Sequence, residues 1–139
     1  KYDVITASSA FHHIPDKNKS AFWANLTHHL KSNGFVLVCE NFLPDYANPK
    51  ERIKSVETYY AELKAYYREG NATADSLNAI EEVYQLEKSG VEEHKVSFQI
   101  FVEQIVSAGF QIFQDVIVWQ AHSFKNDNAG SHVLVLKAT

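Results

Sequence analysis

Tyr2–Asp16 reads YDVITASSAFHHIPD, Phe22–Gly34 reads FWANLTHHLKSNG, and Phe35–Pro44 reads FVLVCENFLP. Tyr2 to Ser9 is short, apolar and rich in small and β-branched residues, the composition of a strand buried on both faces of a parallel sheet. Pro15 and Asp16 then open a helix, with Asp16 placed to cap its free N–H groups, and Asn33-Gly34 closes it. Phe22, Trp23, Leu26 and Leu30 fall on one stripe that faces the sheet. Phe35 to Cys39 is the second strand, so the crossover predicts a parallel pair joined right-handedly.

From Pro44 the pattern turns helical. Pro49 to Glu69 carries Ile53, Val56, Tyr59, Tyr60, Leu63, Tyr66 and Tyr67 at helical spacing until Gly70-Asn71 breaks it. A second helix, about Asp75 to Lys88, brings Leu77, Ile80, Tyr84 and Glu87 near one another and ends at Ser89-Gly90. Ser97 caps a third helix through Ala108, with Phe98, Phe101, Val102, Ile105 and Val106 inward and Gly109 at its end. Gln111 to Ala121 and His132 to Lys137 read as strands. The short polar loop Lys125 to Gly130 between them makes an antiparallel pair, because a parallel return needs a longer crossover. Trp23 and Trp119 read as core.

The 139 residues are 45% hydrophobic and 22% charged, enough for one packed unit and far from a disordered composition. A net charge of -4 with mixed signs leaves no broad basic face for nucleic acid. The single cysteine, Cys39, lies in an apolar run and has no internal disulfide partner, which suits a reducing, cytoplasmic setting. No apolar run approaches the roughly 20 residues of a membrane span, and no signal-peptide pattern opens the chain. The chain has no methionine, so Lys1 is expected to follow upstream sequence rather than to start translation.

The aspartate-bearing strand that ends in an aromatic and paired histidines, the Pro-Asp helix start, and the Lys-x-x-Gly turn into a strand closing on Glu-Asn-Phe-Leu-Pro together resemble the second half of a Rossmann-like (class I) S-adenosylmethionine-dependent methyltransferase. The resemblance implies an α/β fold: a partial methyltransferase sheet of two parallel strands plus a closing antiparallel pair, with a lid-like helical insertion at about 44–93. Residues 1–139 would form a single domain, the C-terminal half of such an enzyme. No G-x-G-x-x-G occurs, so the glycine-rich loop and the ribose-holding acid are expected upstream. The chain alone is then expected to bind S-adenosylmethionine weakly and to be inactive. Its expected partners are a small-molecule acceptor and, at the exposed Tyr2 to Ser9 edge, either the missing N-terminal half or a second copy.

In an open α/β sheet, ligands bind outside the carboxyl ends of the strands, here Ala7 to His13 and Glu40 to Phe42. The resemblance assigns His12 as the base that deprotonates an acceptor hydroxyl, with Glu40 assisting. Histidine suits that task because its ordinary pKa, about 6.5, lets it take a proton near neutral pH. By the same resemblance Ala7, Ser8, Ser9, Phe11 and His13 lie along the cofactor. Asn41, Tyr59 and Tyr60 are the acceptor-binding candidates. Where those enzymes usually follow the histidine with an aspartate, this chain has His13.

Other readings stay open on the residues themselves. His12 and Glu40 can serve as a pocket wall and a strand-end cap, and the tyrosines as plain helix packing. Ser8 and Ser9 follow a strand but lack the flanking glycines of a hydrolase elbow. No metal site is expected, since adjacent residues such as His28-His29 diverge by about 100° on a helix. The competing function class is a non-catalytic α/β interaction domain, or a dimerising fragment of a degenerate methyltransferase. Upstream sequence with a glycine-rich turn would favour the enzyme.

Overall fold

β-branched and aromatic runs form four strands in the computed structural model, which describes residues 1–139. β1 (Tyr2–Ser8), β2 (Leu30–Phe42), β3 (Phe110–Trp119) and β4 (Gly130–Ala138) make one sheet in the order β1-β2-β4-β3. β1 and β2 are parallel, and β4 runs antiparallel to both β2 and β3. This is the mixed α/β sheet the sequence predicts, a parallel pair closed by an antiparallel one. β1 and β3 are its edges.

The crossover helix α1 (Asp16–His29) ends earlier than its sequence suggests. Leu30 still donates its N–H to the Leu26 carbonyl, yet its backbone is already extended and it pairs with Tyr2 of β1. The next register pair is Val4 with Phe35, so Lys31 to Gly34 bulge out of the ladder. Burial of Leu30 in the core outweighs another helical turn, which propensity alone favours only weakly. Gly34 is therefore no helix cap. It marks a close approach, because a Cβ there would stand 2.9 Å from the Asp3 carbonyl oxygen. Nor does Asp16 cap the helix: Pro15 holds the N-cap position without a side-chain bond, and the Asp16 carboxylate accepts instead from Lys19 Nζ at 2.5 Å.

Three later helices each start on a capping side chain, of which the sequence reading names Ser97. Asn48 accepts the Glu51 N–H at the head of α2 (Pro49–Glu69), Thr73 the Ser76 N–H at α3 (Ala74–Ser89), and Ser97 the Ile100 N–H at α4 (Phe98–Ser107). Each such cap stabilises its helix by about 1 kcal/mol. Gly109, with φ of +81°, ends α4 in the left-handed region where a side chain is disfavoured.

α1 and α4 cover one face of the sheet. Trp23, Leu26, Phe101 and Ile105 pack there on Val36, Val38, Phe42, Leu134 and Leu136. Aromatic rings dominate this core, with Trp23 5.2 Å from Phe11, 5.7 Å from Phe101 and 5.8 Å from Phe110 between centroids. Val106 does not join it, being 59% exposed on the outer side of α4. The alternate residues Leu37, Cys39, Val133 and Val135 point to the other face, stay half-buried, and belong to neither hydrophobic cluster.

A second cluster joins α2 to the carboxyl end of β2. Leu43, Val56, Tyr59, Tyr60, Phe124 and Ala129 form it, with Trp119 half-buried against its side rather than central in the main core. Tyr66 and Tyr67 of the predicted α2 stripe remain exposed, because the end of α2 outruns the body it packs on, and Ile53 near its start is exposed as well. α3 returns along α2, tied by ion pairs Lys64–Glu81 at 2.7 Å and Lys88–Glu57 at 2.8 Å. No helix is long and apolar enough to cross a membrane.

Candidate functional site

The parallel register sets the site. Pairing Ala7 with Val38 and Ser8 with Cys39 brings the ends of β1 and β2 side by side. β1 then stops. Ser9 turns with φ of +48°, held by its N–H donating to the Cys39 carbonyl at 2.9 Å, and the chain enters a single 3₁₀ turn, Phe11–His13.

That turn aims His12 at Glu40. The imidazole Nδ1 lies 2.5 Å from Glu40 Oε1, with both side chains almost fully buried. A carboxylate oxygen accepts, so the Nδ1–H of His12 donates to Glu40, and Nε2 is the ring nitrogen turned toward the cavity. Glu40 is itself fixed by two backbone donors, the His12 N–H on Oε2 at 3.2 Å and the Asn41 N–H on Oε1 at 2.8 Å. The carboxylate thus orients the ring, and the backbone orients the carboxylate.

A second carboxylate faces the other nitrogen. Glu93 Oε2 is 3.6 Å from His12 Nε2, and Glu93 Oε1 is 3.7 Å from His13 Nδ1. Glu93 is carried by the loop leading into α4. That segment is pinned where the His94 N–H donates to the His12 carbonyl at 2.6 Å and the Leu43 N–H to the Val96 carbonyl at 3.0 Å. Lys19 Nζ adds a third tie, donating to the His94 carbonyl at 2.5 Å. Burial lowers the Lys19 pKa from its ordinary value, and the Asp16 carboxylate beside it works in the opposite direction.

Beyond Glu93 lies a buried ionic group. Lys95 Nζ donates to Glu93 Oε2 at 2.7 Å, Glu87 Oε2 at 3.2 Å and the Tyr60 hydroxyl at 3.3 Å. Arg52 Nη2 donates to Glu87 Oε1 and, at 3.1 Å, to the Lys95 carbonyl. Burial opposes the charge on Lys95, but Tyr60, Glu87 and Glu93 outweigh it and hold its pKa above the usual lysine value. Burial pushes the Tyr60 phenol up to about 12 and raises that of Tyr59 as well, with Lys95 opposing in both cases. Both phenols are neutral at physiological pH.

These groups line a cavity of about 350 Å³ between the strand ends and the α2–α3 hairpin. Ser9, His12, Asn41, Glu93 and Lys95 form its polar floor, and Tyr59, Tyr60, Leu63, Ile80 and Val83 its wall. The mix of apolar wall and few convergent polar groups is that of a small-molecule site. Asn41 is braced from behind, its Oδ1 accepting from Ser131 Oγ of β4.

The remaining sequence candidates sit as follows. Ser8 and Ser9 are exposed at the strand end next to His12, while Ala7 is buried within β1. Phe11 turns away from the cavity into the main core, edge-on to Phe101. His13 is largely exposed, its Nδ1 donating to the Glu92 carbonyl at 3.0 Å. Glu93, Lys95 and Glu87 were not among the sequence candidates for the site. The one signal for the first two was the charged word VEEHK at Val91–Lys95, which reads as a solvated linker until β2 is laid beside it.

No family model and no curated protein matches the chain. Solved structures do match. The mitomycin 7-O-methyltransferase MmcR is similar at a TM-score of 0.56 and 12% identity, over 100% of this chain and 30% of its own. The O-methyltransferase NcsB1 from neocarzinostatin biosynthesis, in complex with S-adenosyl-L-homocysteine and 1,4-dihydroxy-2-naphthoic acid, is similar at 0.53 and 12% identity, over 99% of this chain and 29% of its own. A pericyclic reaction enzyme is similar at 0.57 and 6% identity, over 99% of this chain and 26% of its own. The chain spans less than a third of each of these three, and identities this low speak for the fold, which can host more than one chemistry. The chain has the mixed α/β fold that these O-methyltransferases show over the matched part of their length.

Proposed function

We propose that this chain is the acceptor-binding, C-terminal part of an S-adenosylmethionine-dependent methyltransferase that methylates a hydroxyl of a small molecule, with His12 as general base. The observation that carries the reading is the Glu40–His12 pair at the floor of the cavity, with Nδ1 held at 2.5 Å and Nε2 3.6 Å from Glu93, beyond hydrogen-bond distance. A base so placed takes the acceptor proton as the oxygen becomes nucleophilic, and typically contributes about 10²- to 10⁴-fold in rate. Glu40 stabilises the imidazolium that results, and Glu93 adds a second negative charge near Nε2.

Ser8, Ser9 and the backbone at the end of β1 fit the methionine end of the cofactor, being exposed beside His12. Ala7, Phe11 and His13 support that corner from within β1, the core and the surface. When bound, the cofactor supplies the activated methyl group. The adenosine half needs a glycine-rich turn and an acidic residue, and the chain has no G-x-G-x-x-G. We therefore assign those contacts to the upstream half, packed on the β1 edge and on the half-buried face around Leu37 and Val135.

Tyr59, Tyr60 and Asn41 would hold the acceptor, with α2 and α3 as its lid, excluding water while the groups align. The test is transfer of label from methyl-labelled S-adenosylmethionine to a panel of phenolic and aliphatic hydroxyl compounds by the complete protein. Labelled ether products support the reading. Label on nitrogen or carbon alone, or on no product despite cofactor binding, would refute it.

A further inference from the structure

His12, His13 and Glu93 each offer one ligand atom, and these atoms all lie within 4.8 Å of one another. Adjacent histidines diverge on an α-helix, but the tight turn at Phe11–His13 sets these two rings 4.3 Å apart between centroids. Nε2 of His12 is 3.6 Å, and Nδ1 of His13 3.7 Å, from opposite oxygens of Glu93. A tetrahedral zinc ion, about 2.0–2.1 Å from nitrogen or oxygen, spaces its ligand atoms about 3.3–3.5 Å apart. Those two contacts go to opposite oxygens, so a tetrahedral site in which Glu93 gives one oxygen needs its ligand atoms, now within 4.8 Å of one another, to draw in by at most about 1.5 Å, and the exposed His13 ring is free to move.

The surroundings are also those of a metal ligand. A metal-bound histidine usually gives its other N–H to a carboxylate, which fixes the ring and raises its basicity. Glu40 already does this for His12 at 2.5 Å. Around the cluster the carboxylates of Glu40, Glu87 and Glu93 stand against Lys95, Arg52 and the buried Lys19, the last paired also with the exposed Asp16. Lys95 competes for Glu93 Oε2, yet keeps Glu87 at 3.2 Å when Glu93 is shared. Two imidazoles and one carboxylate suit zinc over magnesium or calcium, which prefer all-oxygen sites.

We propose that His12, His13 and Glu93 form a site for a zinc-class divalent cation, and that the bound ion takes the Nε2 lone pair of His12 and so switches methyl transfer off. His13 gives up its bond to the Glu92 carbonyl and carries its proton on Nε2, while the fourth position opens to the cavity. The binding half stands on the cluster alone; the inhibitory half rests on His12 being the base.

Zinc is titrated into the complete protein by calorimetry, with cobalt absorption as a second readout of the ligand field. One equivalent should bind, and His13→Ala and Glu93→Gln should each weaken it by about tenfold or more, while His28→Ala leaves it unchanged. His13 lies at the surface, so its substitution leaves the core intact. No saturable binding, or binding indifferent to both substitutions, overturns the site. Zinc should also inhibit transfer in competition with the acceptor and not with the cofactor. Zinc bound through these residues with turnover unaltered overturns the inhibition and the role of His12, and leaves the site standing.

Discussion

Glu40 and His12, 28 residues apart in the chain, meet at 2.5 Å because the parallel register ends β1 at Ser8 beside Cys39, one residue before Glu40 on β2. Glu40→Gln keeps the shape of the acid but removes its charge, and its single amide oxygen can accept from only one of the two backbone N–H groups that bond opposite carboxylate oxygens. The stabilisation of the developing imidazolium falls with the charge. Turnover in the complete protein is expected to drop by about tenfold or more with cofactor affinity within a few-fold. Unchanged turnover would reduce Glu40 to a strand-end cap.

The ionic group behind the cavity is structural first. Glu87 is fully buried and answers both Arg52 and Lys95, so Glu87→Gln leaves two cations short of their partner. Breaking a buried pair in this way costs about 3–5 kcal/mol. Urea denaturation of the complete protein is the measurement. A loss under about 1 kcal/mol would place these side chains in contact with water.

Tyr60 makes stability depend on alkaline pH. Its folded pKa, pushed up to about 12 chiefly by burial, lies above the ordinary 10.0, so the folded state keeps a proton that the unfolded state has lost. The associated stability is fully present below about pH 10 and disappears as pH rises towards 12, about 2–3 kcal/mol in all. The raised pKa of Lys95 acts in the same sense above its ordinary 10.5. Tyr60→Phe should flatten the loss of stability between pH 10 and 12. Equal slopes for wild type and variant would show the ring to be solvated.

The α2–α3 hairpin closes over the cavity with one face on a small cluster and the other in water. Amides in Glu51 to Lys88 should therefore exchange with deuterium faster than those of Val36 to Cys39, and slow when cofactor and acceptor are both bound. Tyr60→Ala should alter acceptor KM more than cofactor affinity. Uniform protection that no ligand changes would make the hairpin fixed scaffold.

Much of this architecture is visible in the chain itself. Ser97, Gly109 and the Gly70-Asn71 break place helix ends correctly because caps are local, short-range chemistry. The meeting of His12 and Glu40 follows from strand polarity, since ligand-facing residues cluster where parallel strands end. The end of α1 was not legible: Leu30 chooses between a helical turn and a pairing with Tyr2, and only the sheet decides. Glu93 and Lys95 escaped for a related reason. A charged pentapeptide between two helices reads as solvated, and its burial depends on partners from α2, α3 and the His12 turn that no local pattern names.

The most direct test concerns His12 in the complete protein. Turnover is measured at saturating cofactor and acceptor for wild type and His12→Ala, with cofactor affinity measured by calorimetry on both. The substitution is expected to lower kcat by about 10²-fold or more while cofactor affinity stays within a few-fold, because a base acts in the transition state. Weakened cofactor binding with kcat intact at saturation would contradict the account and make His12 a wall of the pocket.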